Sequence, residues 1–276
     1  MACRINVKGG NMKRFTIIIF LLALYINAFS QDEDLQMIFD SIIAEADLMY
    51  KYEKTVWNST DLLMINKNLQ KNYGGYVVSH SADSVYVVYI DKKQEQSIAR
   101  YTYTSADLSK PCYISTELST LSVEEKELVD IKTKMLKQIV NRKYKVTIPN
   151  GFSPNFVLIK EDNFYKLYVI MGTSTYGVIP FGNDYLFKAN SKGKIIYWTK
   201  FHSTMIPVMA ETDGHKVVEA THSHLRTTPY ITATDICTFR LYAQYTELQK
   251  FSVYSPAIKK TMTYILETNK IEVKEK

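Results

Sequence analysis

Hydrophobic positions recur at helical spacing between Leu35 and Tyr52, where Leu35, Ile38, Phe39, Ile42, Ala46 and Met49 share one face. Asp61 to Asn68 reads as a second, short helix, and Gly74-Gly75 ends it. Alternation then predicts strands at Tyr76–Ser79 and Val85–Ile90 around a Ser81–Ser84 turn, with Ile98–Tyr103 extending the same sheet. Ser122 followed by Glu125 is a capping-box pair. It opens a helix over Glu124–Val140, with Leu128, Ile131, Met135, Leu136 and Ile139 on one face.

The second half is richer in strand patterns. Asn155–Lys160 and Phe164–Gly172 form a hairpin around Asp162-Asn163, and Tyr185–Ala189 and Lys194–Phe201 form another around Asn190–Gly193. Lys216–His222 reads as a strand and Asp235–Tyr245 as a helix, followed by late strands at Phe251–Tyr254 and Met262–Ile265. The fold class is α+β: a helix-plus-antiparallel-sheet region over residues 31–150 and a sheet flanked by helices over 151–276. The change of character falls near Lys143–Asn155, where Pro149-Asn150-Gly151 is a turn signal and not a linker.

The N-terminus has a different pattern. Lys13 and Arg14 precede an almost wholly apolar run, Thr16–Phe29, and the chain turns acidic at Asp32, Glu33 and Asp34. A basic start, an apolar stretch and a polar boundary make a secretory signal peptide over residues 1–30. The run is short of the ~20 residues that span a bilayer. Met12 is a natural start, and cleavage would leave a mature chain beginning near Gln31, in the periplasm or outside the cell. The ending Ala28-Phe29-Ser30-Gln31 resembles export signals of Bacteroidetes. An uncleaved anchor is the alternative. No later run is apolar enough to cross a membrane.

Composition narrows the classes. The 276 residues are 46% hydrophobic and 22% charged, which excludes a disordered or fibrous chain. The net charge of +6 includes Arg4, Lys8, Lys13 and Arg14 of the leader, so the mature chain carries only +2. That leaves no electrostatic footprint for nucleic acid. Three cysteines do not make a disulfide framework. Cys237 reads as core packing, and Cys112 as structural or unpaired, with a Cys112–Cys237 bridge left open.

The candidate chemistry lies in the histidines. Two of the five form His222-Ser223-His224. Residues two apart on a strand point to one face, so both imidazoles can reach one ion. Leu225–Thr234 reads as a returning loop, and it delivers Asp235 at a helix start. Strand end, loop and helix start can therefore bring His, His and Asp to one zinc, with water as the fourth ligand. His202, at the end of an aromatic strand, is either a packed structural histidine or a group that orients the site. His80 and His215 are expected to face water.

His222-x-His224, seven residues, Thr232, two residues and Asp235 resemble the signature of the JAMM (JAB, MPN+) zinc metalloproteases. The likeness covers roughly residues 182–272. It implies a cytidine-deaminase-like sheet and zinc held by His222, His224 and Asp235. Thr232 stands where the family places an oxyanion-stabilising serine, and Leu225 where it places a proline. The family's general base is an upstream glutamate at its first core strand. Here that strand start carries Asp184, one methylene shorter, and Glu161 is the other candidate. Glu219 is on the wrong face by strand parity. The resemblance implies an exported zinc-dependent amide hydrolase acting on a peptide or protein. The alternatives are a catalytically silent metal-binding scaffold and a β-rich binding protein with adventitious metal.

Overall fold

The computed structural model describes residues 11–140 and 144–275. The chain divides into two compact units, residues 1–42 and 43–276. Helix α1 covers Asn11–Ile65, so it runs well beyond the helix expected at Leu35–Tyr52. The first ten residues of the expected leader lie outside the described residues, and positions 11–30 are helical. Among the described residues no helix is long and apolar enough to cross a membrane.

In the larger unit α1 is followed by α2 (Lys67–Asn72) and a five-stranded antiparallel sheet. The sheet consists of β1 (Tyr73–His80), β2 (Ser84–Asp91), β3 (Gln96–Thr104), β4 (Tyr113–Ser115) and β5 (Ser119–Thr120), with β4 and β5 both pairing β3. Strand β1 begins at Tyr73 instead of Tyr76 because Gly74-Gly75 forms an irregularity inside the ladder, not a break before it. A Cβ at Gly74 would lie 2.2 Å from the Asp91 carbonyl oxygen, so only glycine allows this approach.

Helix α3 (Val123–Ile139) starts at the expected capping box: the Ser122 hydroxyl accepts from the Glu125 amide, and the Glu125 carboxylate from the Ser122 amide. Its apolar face carries Leu128, Ile131, Met135 and Ile139, all buried. Burying each such side chain stabilises the fold by roughly 1.5–3 kcal/mol.

The next sheet has the order β10-β9-β7-β6, from β6 (Ser153–Lys160), β7 (Phe164–Gly172), β9 (Tyr185–Asn190) and β10 (Ile195–Lys200). Strand β8 (Val178–Gly182) pairs with β11 (Met205–Met209), and β12 (Glu211–Thr212) with β13 (His215–Lys216). The last sheet runs β14 (Ala220–Ser223), β15 (Lys250–Ser255), β16 (Lys260–Ile265), β17 (Lys270–Glu275). Strands β14 and β15 are parallel, and α4 (Ala233–Ala243) is the crossover between them.

One core cluster combines Val77, Val88 and Ile90 of the first sheet, Leu128 and Met135 of α3, and Leu167, Val169 and Phe187 of the second sheet. The regions expected on either side of residue 150 thus share a core, because α3 presents its apolar face to both. Beyond it Phe181, Phe239, Phe251 and Tyr264 pack ring against ring, each at most 1% exposed. Arg240 of α4 pairs with Asp47 of α1 and lies over the Tyr50 ring. Cys112 and Cys237 are both free: Cys237 is buried within α4 and Cys112 is exposed ahead of β4, so the bridge left open above does not form.

Candidate metal centre

Strand β14 places His222 as parity requires. Ala220 and His222 are buried while Thr221 and Ser223 are exposed. His224 continues the alternation just past the strand, and its amide donates to the Tyr254 carbonyl at 3.0 Å, which prolongs the ladder beside β15. The His222 ring lies parallel to Phe251 and tilted on Phe181, so aromatic packing fixes its direction.

Asp235 comes from the first turn of α4. Thr232 is the N-cap residue and Asp235 the third helical position. The Thr232 amide donates to Asp235 Oδ2 at 3.0 Å and the Thr232 hydroxyl at 2.6 Å, while the Asp235 amide donates back to that hydroxyl at 3.2 Å. This reciprocal cap orients the carboxylate. Asp235 is fully buried, and its Oδ1 has no hydrogen-bond partner. An orphaned carboxylate oxygen in such a place is costly unless a cation meets it.

His202 completes the cluster. It follows β10 in a short segment held on both sides: the Phe201 amide donates to the Asp184 carbonyl at 3.1 Å, and the Thr228 hydroxyl to the Phe201 carbonyl at 3.2 Å. Its Nδ1 donates to Asp184 Oδ1 at 2.7 Å. The Thr234 hydroxyl donates to the other oxygen of Asp184. The turn before Asp184 is also fixed. Gly182 has φ of 81°, and a Cβ there would lie 2.4 Å from the Thr204 carbonyl oxygen. Asn183 anchors the same turn by donating to the Thr147 carbonyl at 2.8 Å.

Four ligand atoms, from His202, His222, His224 and Asp235, lie within 4.8 Å of one another, and this buried group could hold a metal ion. The Nε2 atoms of His202 and His224 are 2.9 Å apart, and those of His222 and His224 are 3.3 Å apart. Asp235 lies 3.4 Å from His202 Nε2, 3.6 Å from His222 Nε2 and 3.2 Å from His224 Nε2.

Tautomers follow from the outer partners. His224 Nδ1 is 2.8 Å from the Tyr230 carbonyl, which only accepts, so Nδ1 carries the proton. The Asp184 carboxylate fixes the same tautomer in His202. When neutral, both rings therefore aim Nε2 lone pairs at each other. A cation between them turns that repulsion into attraction.

The electrostatics agree. Burial pushes the His202 imidazole down, but the charges of Asp184 and Asp235 outweigh it and raise it to about 9. Burial pushes Asp235 up, yet the neighbouring charge of His202, with that of His224, holds it well below the usual carboxylate range. Two buried carboxylates in this cluster demand positive charge, supplied by a proton or a metal.

The expected catalytic residues are distributed differently. Asp184 is buried beside the cluster, but it stands behind His202 and not facing the converging Nε2 atoms, with both oxygens engaged. The Thr232 hydroxyl is committed to the helix cap. Glu161 is elsewhere: it pairs with Lys166 at 2.9 Å and lines a surface cavity with His80 and Tyr52. Its turn beside Asp162-Asn163 is at the far end of the β6–β7 hairpin. Glu219 is exposed and pairs with Lys250, as parity requires. His80 and His215 are exposed, as expected.

Sequence reasoning left His202 open between two roles and missed Thr234 and the Tyr230 carbonyl. The returning loop with its threonines was the one signal for Thr234. No family model matches the chain, and neither does any curated protein or solved structure.

Proposed function

We propose that this chain is an exported zinc-binding protein whose residues 151–276 form a JAB/MPN-like scaffold, with His222, His224 and Asp235 as zinc ligands. The observation that carries the reading is the convergence of His222, His224 and Asp235 on one buried point, with Asp235 Oδ1 unpartnered there. Imidazole nitrogens and a carboxylate are the donor set that suits zinc. Bound there, zinc would hold strand β14 to the start of α4.

The scaffold reading is favoured over amide hydrolysis because the groups meant to move protons are occupied. Asp184 is hydrogen-bonded through both oxygens, Thr232 caps α4, and Glu161 pairs with Lys166. A general base must reach its proton within about 2.6–3.2 Å, directly or through one water. Hydrolysis of a peptide or protein amide is the second reading, favoured by the His-x-His, Thr and Asp spacing. It requires His202 to leave the cluster and release Asp184.

Elemental analysis of carefully prepared mature protein is expected to find one zinc per chain. No metal, even after zinc addition, would reject the reading. The same sample, screened against a peptide library, is expected to cut nothing. Cleavage that a chelator abolishes would restore the hydrolase. Export rests on Lys13, Arg14 and the Thr16–Phe29 run. N-terminal sequencing of protein recovered from its producer is expected to start near Gln31, and a start at Met12 would sink that expectation.

A further inference from the structure

We propose that His202, oriented by Asp184, is the fourth protein ligand of this metal, so that the centre has no open position and staples two sheets together. The inference rests on the zinc reading above and adds to it the coordination number, the absence of a metal-bound water and the mechanical role.

The size of the cluster is the first argument. A tetrahedral zinc with arms of about 2.0–2.1 Å has ligand atoms about 3.3 Å apart along every edge. Five contacts among these donors measure 2.9 and 3.3 Å between imidazole nitrogens, 3.4 and 3.6 Å from His202 and His222 to Asp235 Oδ1, and 3.2 Å from His224 to Asp235 Oδ2, and His202 makes the shortest of them. His202 therefore stands at the vertex that water would fill in an open site. His202 is as close to the other donors as they are to one another, and all four lie within 4.8 Å.

The outer shell is the second argument. Ligating histidines donate their far N–H to a carboxylate or a carbonyl, which fixes tautomer and ring direction. His224 has the Tyr230 carbonyl in that place, and His202 has Asp184. Thr234, one residue before the ligand Asp235, steadies the second oxygen of Asp184. His202 has the full equipment of a ligand. A histidine serving only to fill space would not need a buried carboxylate behind it.

The third argument is burial. His202, His222, His224 and Asp235 are 2%, 7%, 4% and 0% exposed. An open catalytic centre needs a face through which substrate reaches the metal, and here the protein covers all four donors.

The mechanical consequence follows from where the ligands originate. His202 and Asp184 flank the β9–β10 hairpin of one sheet, whereas His222 lies on the edge strand of another, His224 just past its end, and Asp235 on α4. A closed centre therefore ties the hairpin to the β14–α4–β15 unit. Asp184 is a positioning residue in this arrangement and not a base.

The test uses the mature chain loaded with zinc and, in parallel, with cobalt(II). X-ray absorption on the zinc protein is expected to count three imidazoles and one carboxylate. The cobalt protein is expected to show tetrahedral absorption that added azide leaves unchanged. His202→Ala is expected to weaken zinc binding at least 100-fold, make the cobalt spectrum respond to azide, and regain the wild-type spectrum with added imidazole. Asp184→Asn is expected to weaken binding by about 10–100-fold with the coordination unchanged. Two imidazoles and a water in the wild-type protein, with an azide-responsive spectrum, would overturn the proposal while leaving zinc binding intact. Should the wild-type chain hold no metal at all, the underlying zinc reading falls and this inference with it. The absorption measurement needs no variant, so the test stands even where His202→Ala fails to fold.

Discussion

Alanine at both His222 and His224 is expected to abolish stoichiometric zinc binding and to make stability insensitive to chelator. A metal held by residues on β14, on α4 and in the segments after β10 and β14 would bind the folded state, where these residues meet. Stability gained by such binding is RT ln(1 + [L]/Kd), about 4 kcal/mol at a thousandfold excess over Kd. Chelating the wild-type protein should remove an amount of that order, read as a lower denaturation midpoint. The double variant should show no such loss. Its own baseline will also shift, because the His222 ring packs against both Phe181 and Phe251 and alanine leaves a void there. The difference with and without chelator isolates the metal term from that packing term. Phe239 and Tyr264 still pack against each other and against Phe251 without the imidazoles, so the variant should keep a cooperative transition. Equal midpoints with and without chelator in the wild-type chain, after zinc loading, would refute the expectation.

The elements that the sequence disclosed are those whose signals are local. The Ser122–Glu125 box set the start of α3, and Asp162-Asn163 and Asn190–Gly193 set two hairpins, because caps and tight turns are decided within four or five residues. The alternation of His222 and His224 was legible for the same reason. Strands β8 and β11 were not: each carries a central proline, Pro180 and Pro207, which removes a ladder donor and argues against a strand. The two prolines face each other in the register, where a short two-stranded ribbon tolerates them. Strand β14 was expected from Lys216, but Asp213 and Gly214, both at positive φ, turn the chain so that His215–Lys216 pairs back on β12.

The site was legible where its residues share a strand or a helix turn, and illegible where it depends on a crossing between sheets. His202 is twenty residues from His222 and lies outside any regular element, so no periodicity gives its direction. The location of Asp184 at the start of a strand was readable, and the structure keeps it beside the cluster. Which ring stands between it and the converging nitrogens is a tertiary fact. It sets Asp184 against the far nitrogen of His202.

A separate pair of buried charges should give the protein an unusual dependence of stability on pH. Glu53 of α1 is 1% exposed and one of its oxygens has no partner. Burial raises its carboxyl to about 7, against the opposing pull of the Lys132 charge and a hydrogen bond with Trp57. Lys132 of α3 is pushed down by burial to about 8, with the Glu53 charge resisting. Its ammonium donates to the Tyr76 carbonyl at 3.0 Å and lies 3.8 Å from the centre of the Tyr76 ring. For Glu53 the folded state holds a proton that the unfolded state releases near 4.5, so its contribution is fully present below that pH and is lost as pH rises to about 7. For Lys132 the unfolded state holds the proton longer, so stability rises again between about 8 and 10.5. Together they predict a minimum between pH 7 and 8. Each displacement corresponds to roughly 3 kcal/mol. Denaturant unfolding at pH 4.5, 7.5 and 10 reads the curve directly. Glu53→Gln keeps size and hydrogen bonding and should flatten the limb between 4.5 and 7. Lys132→Met removes the attraction that lowers Glu53, so the falling limb should extend above pH 7. A Glu53→Gln protein that loses as much stability as wild type between pH 4.5 and 7 would show that another group drives the slope.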